Sequence, residues 1–262
     1  MNLSILDLLS GWGVSFMLVL TRVSAMIYAF PFFGSPAIAT RVRISITLVI
    51  SFMLLPVVGV QGLGFDWNLG RLTLGIGREL AIGLIVGFGT RFMFEAFSLA
   101  GTFAGRQMGF AIAELVDPVT SAPQSMVGQF WALVAVLLFL AVDGHHFLIR
   151  LLVQNFQIVP LDTGMLRPAS GQMLITGSTE MFRLALKLAA PAIILTLMVD
   201  VGVGFLSRAM PRLQVFFVAL PLKLVVGVFA LVVSLQLFQA LFSTVYNEFQ
   251  EYVVTLLATL RS

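Results

Sequence analysis

The chain has no cysteine and few charged residues. The missing cysteines exclude disulfide frameworks, thiolate metal sites and cysteine nucleophiles. Charged residues make up 10% of the 262 positions, and the basic ones are scattered, so no nucleic-acid-binding surface is indicated. Because the first arginine is Arg22, the N-terminus lacks the basic region of a cleavable signal peptide. We therefore expect the first apolar segment to remain in the mature protein.

Apolar residues dominate instead. They account for 59% of the chain, and the mean hydropathy is +1.04. A soluble domain of this size could not hide so much apolar surface. Several charges nevertheless lie in or beside the apolar runs: Arg22, Arg91, Glu95, Lys187, Asp200 and Lys223. Intramembrane charges usually face protein or water rather than lipid. The pattern predicts a helix-rich membrane subunit whose polar stripes meet partner chains or a conduit.

Six long apolar segments are expected, at about residues 12–33, 44–60, 72–100, 126–142, 181–206 and 215–242. The third is long for one membrane span, so we expect it to be tilted or broken. Pro191 is expected to kink the fifth. The most hydrophilic stretch, residues 160–178, is the best candidate for a domain boundary. The positive-inside rule places two arginine pairs on the cytoplasmic side: Arg41 with Arg43, and Arg208 with Arg212.

One helical ridge carries small and charged residues at four-residue spacing: Glu79, Gly83, Gly87, Arg91 and Glu95. Residues four apart lie on one face of a helix. Glycine lets two backbones approach closely, and the charges can form pairs across the contact. The ridge therefore predicts close helix packing, either within this chain or against a partner. Alternatively, Arg91 and Glu95 pair with each other.

The glycine spacing continues through Gly101, Gly105 and Gly109 into an unusual segment at residues 110–123. This segment is too polar for lipid and too apolar for an ordinary solvated loop. Irregular backbone at membrane depth is tolerated only where it is buried in protein or lines a cavity. Two hypotheses remain open: a flexible loop that seals a conduit, or a surface loop with a hydrophobic anchor.

Asp143, His145 and His146 are the residues that invite a metal or catalytic interpretation. A metal site normally needs a third or fourth donor in suitable geometry, and adjacent histidines on a helix are expected to diverge. The chain contains neither HExxH nor GxSxG. We expect a polar turn with interface histidines, and no catalytic residue, metal or cofactor. Asp200 is interpreted as a helix-packing acid, with a proton relay as the alternative.

Several motifs, in this order and spacing, resemble the FliR family of the flagellar type III secretion export gate. They are FPFFGSP at 30–36 followed by Arg41 and Arg43, ELAIGLIVG at 79–87, GRQMGF at 105–110 with Asp117 and Pro118, DGH at 143–145, and RAMPRLQVFF at 208–217 leading to Pro221 and Lys223. The resemblance covers nearly the whole chain. Injectisome export gates have a closely similar subunit, which is the first alternative.

The resemblance implies an all-α, integral membrane-type subunit with broken helices. Residues 1–165 would form a FliP-like part and residues 166–262 a FliQ-like helical hairpin with a tail. With FliP-like and FliQ-like chains it would build a closed helical pore for unfolded flagellar substrates. FlhB-like and FlhA-like proteins would wrap the gate and couple energy to it. The location would be the bacterial inner membrane at the flagellar basal body, in contact with lipids.

The resemblance also implies roles for individual residues, and it implies no catalysed reaction. The pore plug would comprise Gly105, Met108, Gly109, Phe110, Ile112, Glu114, Asp117 and Pro118. Subunit packing would involve Glu79, Gly83, Gly87, Arg91, Glu95, Arg208, Pro221 and Lys223. Two hypotheses from other classes remain: a secondary transporter, which should have internal symmetry, and an intramembrane enzyme using Asp143 and its neighbouring histidines.

Overall fold

The computed structural model describes residues 5–31, 33, 38–58, 69–110, 125–210 and 215–261. These residues form seven helices and no strand: α1 (Ile5–Ala29), α2 (Thr40–Val58), α3 (Leu69–Gln107), α4 (Met126–Ala141), α5 (Gly144–Ile158), α6 (Pro168–Ala209) and α7 (Val215–Thr259). The prediction of an all-α membrane-type chain is confirmed.

Two long helices differ from the sequence-based expectation. The third segment was expected to be tilted or broken, and of these two alternatives the structure excludes the break, because α3 is helical without interruption over 39 residues. The sixth segment and the amphipathic tail form one 45-residue helix, α7, since no glycine or proline separates them. Helix α6 starts at Pro168, inside the predicted hydrophilic boundary, and continues through Pro191.

The start of two helices follows from local chemistry. Ser125 caps α4, because its hydroxyl oxygen accepts a hydrogen bond from the Gly128 backbone N–H at 3.0 Å. Asp143 precedes α5 with a φ of 56°, in the left-handed region that aspartate tolerates better than most residues. A continuous helix cannot include that conformation, so α5 begins as a separate element.

The chain divides into two compact units. The first comprises Met1–Phe92, Asp143–Gly177 and Glu248–Ser262, and the second comprises Met93–Val142 and Ser178–Asn247. Both are discontinuous along the chain because α3, α6 and α7 each contribute to both. This division describes packing. The boundary predicted between residues 165 and 166 is of another kind, because it rests on a likeness of the two parts to two separate proteins. That boundary stays a prediction.

Each unit has its own core. The first buries aliphatic side chains, including Leu18, Val19, Val23, Met26, Ile82, Val86, Leu151 and Leu256. The second buries aromatic rings: Phe97 and Trp131 lie 4.3 Å and 4.7 Å from Phe238 between ring centroids. These separations lie at the short end of the range at which aromatic pairs attract beyond their buried area.

Five helices in the described part of the chain are long and apolar enough to cross a membrane: Gly11–Ala29 within α1, α2, α3, α6, and Phe217–Gln236 within α7. The apolar windows of α2, α6 and α7 are mostly exposed, whereas that of α3 is mostly buried. Exposed apolar faces of this length need lipid or other protein to cover them. The chain is therefore membrane-embedded.

Candidate functional site

A fully buried ion pair lies at the centre of the first unit. The Nε of Arg22 on α1 donates to the Glu79 carboxylate on α3, and both side chains are 0% exposed. The same guanidinium donates through Nη1 to Asn155 Oδ1 at 2.8 Å and to the Val159 carbonyl oxygen at 2.6 Å. It also lies 4.6 Å from the Phe156 ring centroid. A buried charge is tolerated when it is paired and hydrogen-bonded in this way.

The second oxygen of Glu79 holds the turn that follows α5. Its Oε1 accepts the backbone N–H of Asp162 at 3.1 Å. Asp162 has a φ of 62°, and its carboxylate lies 3.3 Å from Arg78 and 3.8 Å from Arg71. We call Arg22, Glu79 and Asn155, with the Val159 carbonyl and the Asp162 N–H, the buried polar network. It joins α1, α3, α5 and the turn through residues distant in sequence.

The two ridge glycines also face α1. A Cβ on Gly83 would lie 2.6 Å from the Arg22 carbonyl oxygen, and one on Gly87 would lie 2.5 Å from the Ala29 Cβ. Neither position has room for a side chain. Thus Glu79, Gly83 and Gly87 contact the same chain in this structure. Arg91 and Glu95, further along the ridge, are half-buried.

The beginning of the predicted plug packs inside the second unit. Met108 is fully buried and fills the space beside Gly227 on α7. A Cβ on Gly105 would lie 3.1 Å from Val127, and Gly109 has a φ of 96°. Phe110 is half-buried. The other predicted plug residues lie outside the described residues: Ile112, Glu114, Asp117 and Pro118.

Lys223, predicted to pack against another subunit, has an acid within its own chain. Its Nζ lies 2.5 Å from Asp200 Oδ1, and Gln107 donates to the other Asp200 oxygen at 3.3 Å. The pair joins α6 to α7 within their apolar spans, next to the end of α3. Pro221 lies inside α7. Arg208 is exposed in the last turn of α6.

The histidine cluster differs from the sequence-based expectation in one respect. The rings of His145 and His146 do not diverge, since their centroids are 4.1 Å apart. One donor atom from each of Asp143, His145 and His146 lies within 4.8 Å of the others. However, the cluster begins α5, where the helix dipole disfavours a cation. Three donors at such a position do not assign a metal, and the absence of a metal stays a prediction.

Sequence reasoning named Arg22, Glu79, Asp200 and Lys223 but not their partners. It missed Asn155 and Gln107 altogether. One signal was available for Asn155: it lies on the apolar face of α5 with Leu148, Leu151 and Leu152. A single amide on such a face indicates a buried polar partner. No comparable local signal marks Gln107.

A profile of the family described as "Bacterial export proteins, family 1" matches residues 14–249. A Bacillus subtilis (strain 168) protein is 30% identical over 259 residues, covering 97% of this chain and 95% of its own length. An Escherichia coli (strain K12) protein is 30% identical, covering 87% and 88%, and a Caulobacter vibrioides protein is 29% identical, covering 88% and 92%. All three are named flagellar biosynthetic protein FliR. The chain, matched over most of its length, belongs to the family of bacterial export proteins, family 1.

Proposed function

We propose that this chain is a structural subunit of the flagellar type III protein export gate. The observation that carries this proposal is the family match over residues 14–249, together with FliR-named relatives that align along nearly their whole length. In this role the chain contributes helices to a closed channel through which unfolded flagellar proteins pass. It catalyses no reaction.

The two units are suited to different parts of that role. The first unit contains the buried polar network, which fixes α1, α3 and α5 to one another. In the second unit, the apolar faces of α6 and α7 are mostly exposed, so neighbouring subunits can pack on them. Exposed apolar faces of this kind suit subunit assembly, because the buried core of a protein interface is more apolar than the rest of the surface.

The partners in this proposal are FliP-like and FliQ-like chains in the pore, with FlhB-like and FlhA-like proteins beside it. The proposed location is the bacterial inner membrane, at the flagellar basal body. The FliP-like part would be residues 1–165, and the FliQ-like hairpin residues 166–262. In support of a hairpin, the Lys223–Asp200 pair joins α6 and α7.

Co-expression tests the assembly. The chain is produced with its FliP-like and FliQ-like neighbours, extracted in mild detergent and examined by native mass spectrometry. We expect a single hetero-oligomer that contains this chain. A well-behaved species of this chain alone would contradict the proposal. A second test uses a flagellated host that lacks its own FliR. If this gene restores motility to that host, the role is flagellar and not that of an injectisome.

The plug is tested separately, by deleting residues 109–113. The segment follows Met108, which α7 holds in place through Gly227, so the deletion should leave the packing of α3 intact. We expect membranes containing the assembled gate to leak small solutes, measured by ion or dye flux into vesicles. An assembled complex that stays sealed would contradict the plug assignment. Gly202→Ala, at a helical glycine with open space around it, is the control.

A further inference from the structure

A groove opens on the first unit between α1, α2 and α3, with a volume of about 500 Å³. Leu20 and Tyr28 line it from α1, Arg43 and Leu48 from α2, and Leu84 from α3. Its size lies within the range of roughly 300–1,000 Å³ typical of small-molecule sites. Nothing in the proposed export role assigns it an occupant.

The walls of the groove favour an apolar occupant. Leu48 and Leu84 are 43% and 40% exposed, so their side chains are open to whatever fills it. The hydroxyls of Ser24 and Thr47 already donate to carbonyl oxygens of their own helices, each at 2.8 Å. Among the residues that line the groove, all of them in the described part of the chain, none is acidic.

One end of the groove carries positive charge beside the ends of two candidate membrane spans. Arg43 lies in the first turn of α2 and Tyr28 in the last turn of α1, so both stand at the ends of candidate spans. The guanidinium lies 5.3 Å from the Tyr28 ring centroid. Aromatic and basic residues are typical of the interface between lipid and water. From there the groove follows α2 to Leu48, about 7 Å further along the helix axis.

We infer that the groove holds an acyl chain of an anionic phospholipid, with the lipid phosphate on Arg43. An arginine can donate two parallel hydrogen bonds to phosphate oxygens, and no carboxylate in the lining repels that anion. A partner helix fits less well: a helix is roughly 10–12 Å across, so about one turn would fill this volume. This chain alone supplies all three walls of the groove.

The experiment measures lipid retention by the full-length chain, in its detergent-extracted complex, by native mass spectrometry. The probes are phosphatidylglycerol and phosphatidylcholine with identical acyl chains. We expect phosphatidylglycerol to be retained preferentially. Arg43→Gln should reduce that retention about fivefold, the factor that one arginine contributes beside an anionic lipid surface. Arg41→Gln, at an exposed arginine outside the groove, should have a smaller effect.

A second variant tests the apolar part independently. Ser24→Phe places a ring inside the groove and should reduce retention of both lipids. A photoreactive residue at position 48 should label lipid. The inference is overturned if the wild type retains both lipids equally, if neither Arg43→Gln nor Ser24→Phe changes retention, or if position 48 labels a protein subunit instead of lipid.

Discussion

Two ion pairs, one in each unit, join helices of this chain, and they differ in how far their side chains are buried. Arg22 and Glu79 are wholly buried and share further hydrogen bonds with Asn155 and two backbone groups. Lys223 and Asp200 are 20% and 41% exposed, and Gln107 is the further partner that the structure gives to Asp200. Removing one member of a buried pair strands a charge in a low-dielectric interior. Removing one member of a partly exposed pair leaves a charge that solvent or a neighbour can reach.

The comparison separates two meanings of a charged residue in an apolar helix. In the first unit, the charges are internal and hold three helices and a turn together. In the second unit, Asp200 is partly exposed, so it can also contact another subunit. Arg22, Asp200 and Lys223 were noted at the sequence level as charges in or beside apolar runs. Glu79 was noted as part of a packing ridge, and neither pair was predicted. The exposed fraction of each side chain, which only the structure gives, distinguishes what the loss of one charge would do in each pair.

The largest effect is expected from Glu79→Gln. This change keeps the size of the side chain but leaves the Arg22 guanidinium without a carboxylate, at a cost of about 3–5 kcal/mol in unfolding free energy. Thermal unfolding of the detergent-solubilised protein measures it. Glu180→Gln, which affects an exposed pair with Arg183, is the matched control and should cost at most about 1 kcal/mol. Equal effects of the two changes would contradict the contrast between buried and exposed pairs.

The double variant Arg22→Met with Glu79→Leu sharpens this test. It removes both charges, so no unpaired ion remains, and part of the lost stability should return. Recovery is expected to be incomplete because the Asp162 N–H and the Asn155 side chain lose their partners. A double variant that is less stable than Glu79→Gln would show that the pair itself, and not the stranded charge, dominates.

An intermediate effect is expected from Gly87→Ala, which separates close packing from charge in the first unit. The added methyl group meets Ala29 and Met26, and overpacking of this kind costs about 1–3 kcal/mol. Gly77→Ala makes the same change in the same helix, where nothing lies within 4 Å. It should stabilise α3 by about 0.5–1 kcal/mol. Thermal unfolding should therefore shift in opposite directions for the two variants. A shift in the same direction would argue against contact between α1 and α3.

The smallest effect on folding is expected from Lys223→Gln. Because Asp200 is partly exposed, we expect a loss of about 1 kcal/mol or less. The yield of the hetero-oligomer is measured beside thermal unfolding, since an unpaired Asp200 can also disturb a subunit contact. The charge exchange Lys223→Asp with Asp200→Lys should restore the yield if the pair acts within this chain. Failure of the exchange, with normal unfolding, would assign Lys223 to a partner contact.

Much of the fold could be predicted from local pattern. Six of the seven helices correspond to the expected apolar segments, within a few residues at most of their ends, and α5 lies outside those six segments. The neighbour of α3 could not be predicted, because the close approach at Gly83 and Gly87 depends on where α1 lies. The burial of Met108 depended in the same way on Gly227, 119 positions later in the chain.

By itself, the sequence determined the membrane class, the helical architecture and the family, because hydropathy, periodicity and ordered motifs are properties of neighbouring residues. The tertiary structure alone decided which charges meet. Arg22 and Glu79 are 57 residues apart, and their pairing depends on how two helices pack. It also decided that Glu79, Gly83 and Gly87 face their own chain. Helical spacing places side chains on a common face, but the neighbour of that face is set by the packing of distant segments.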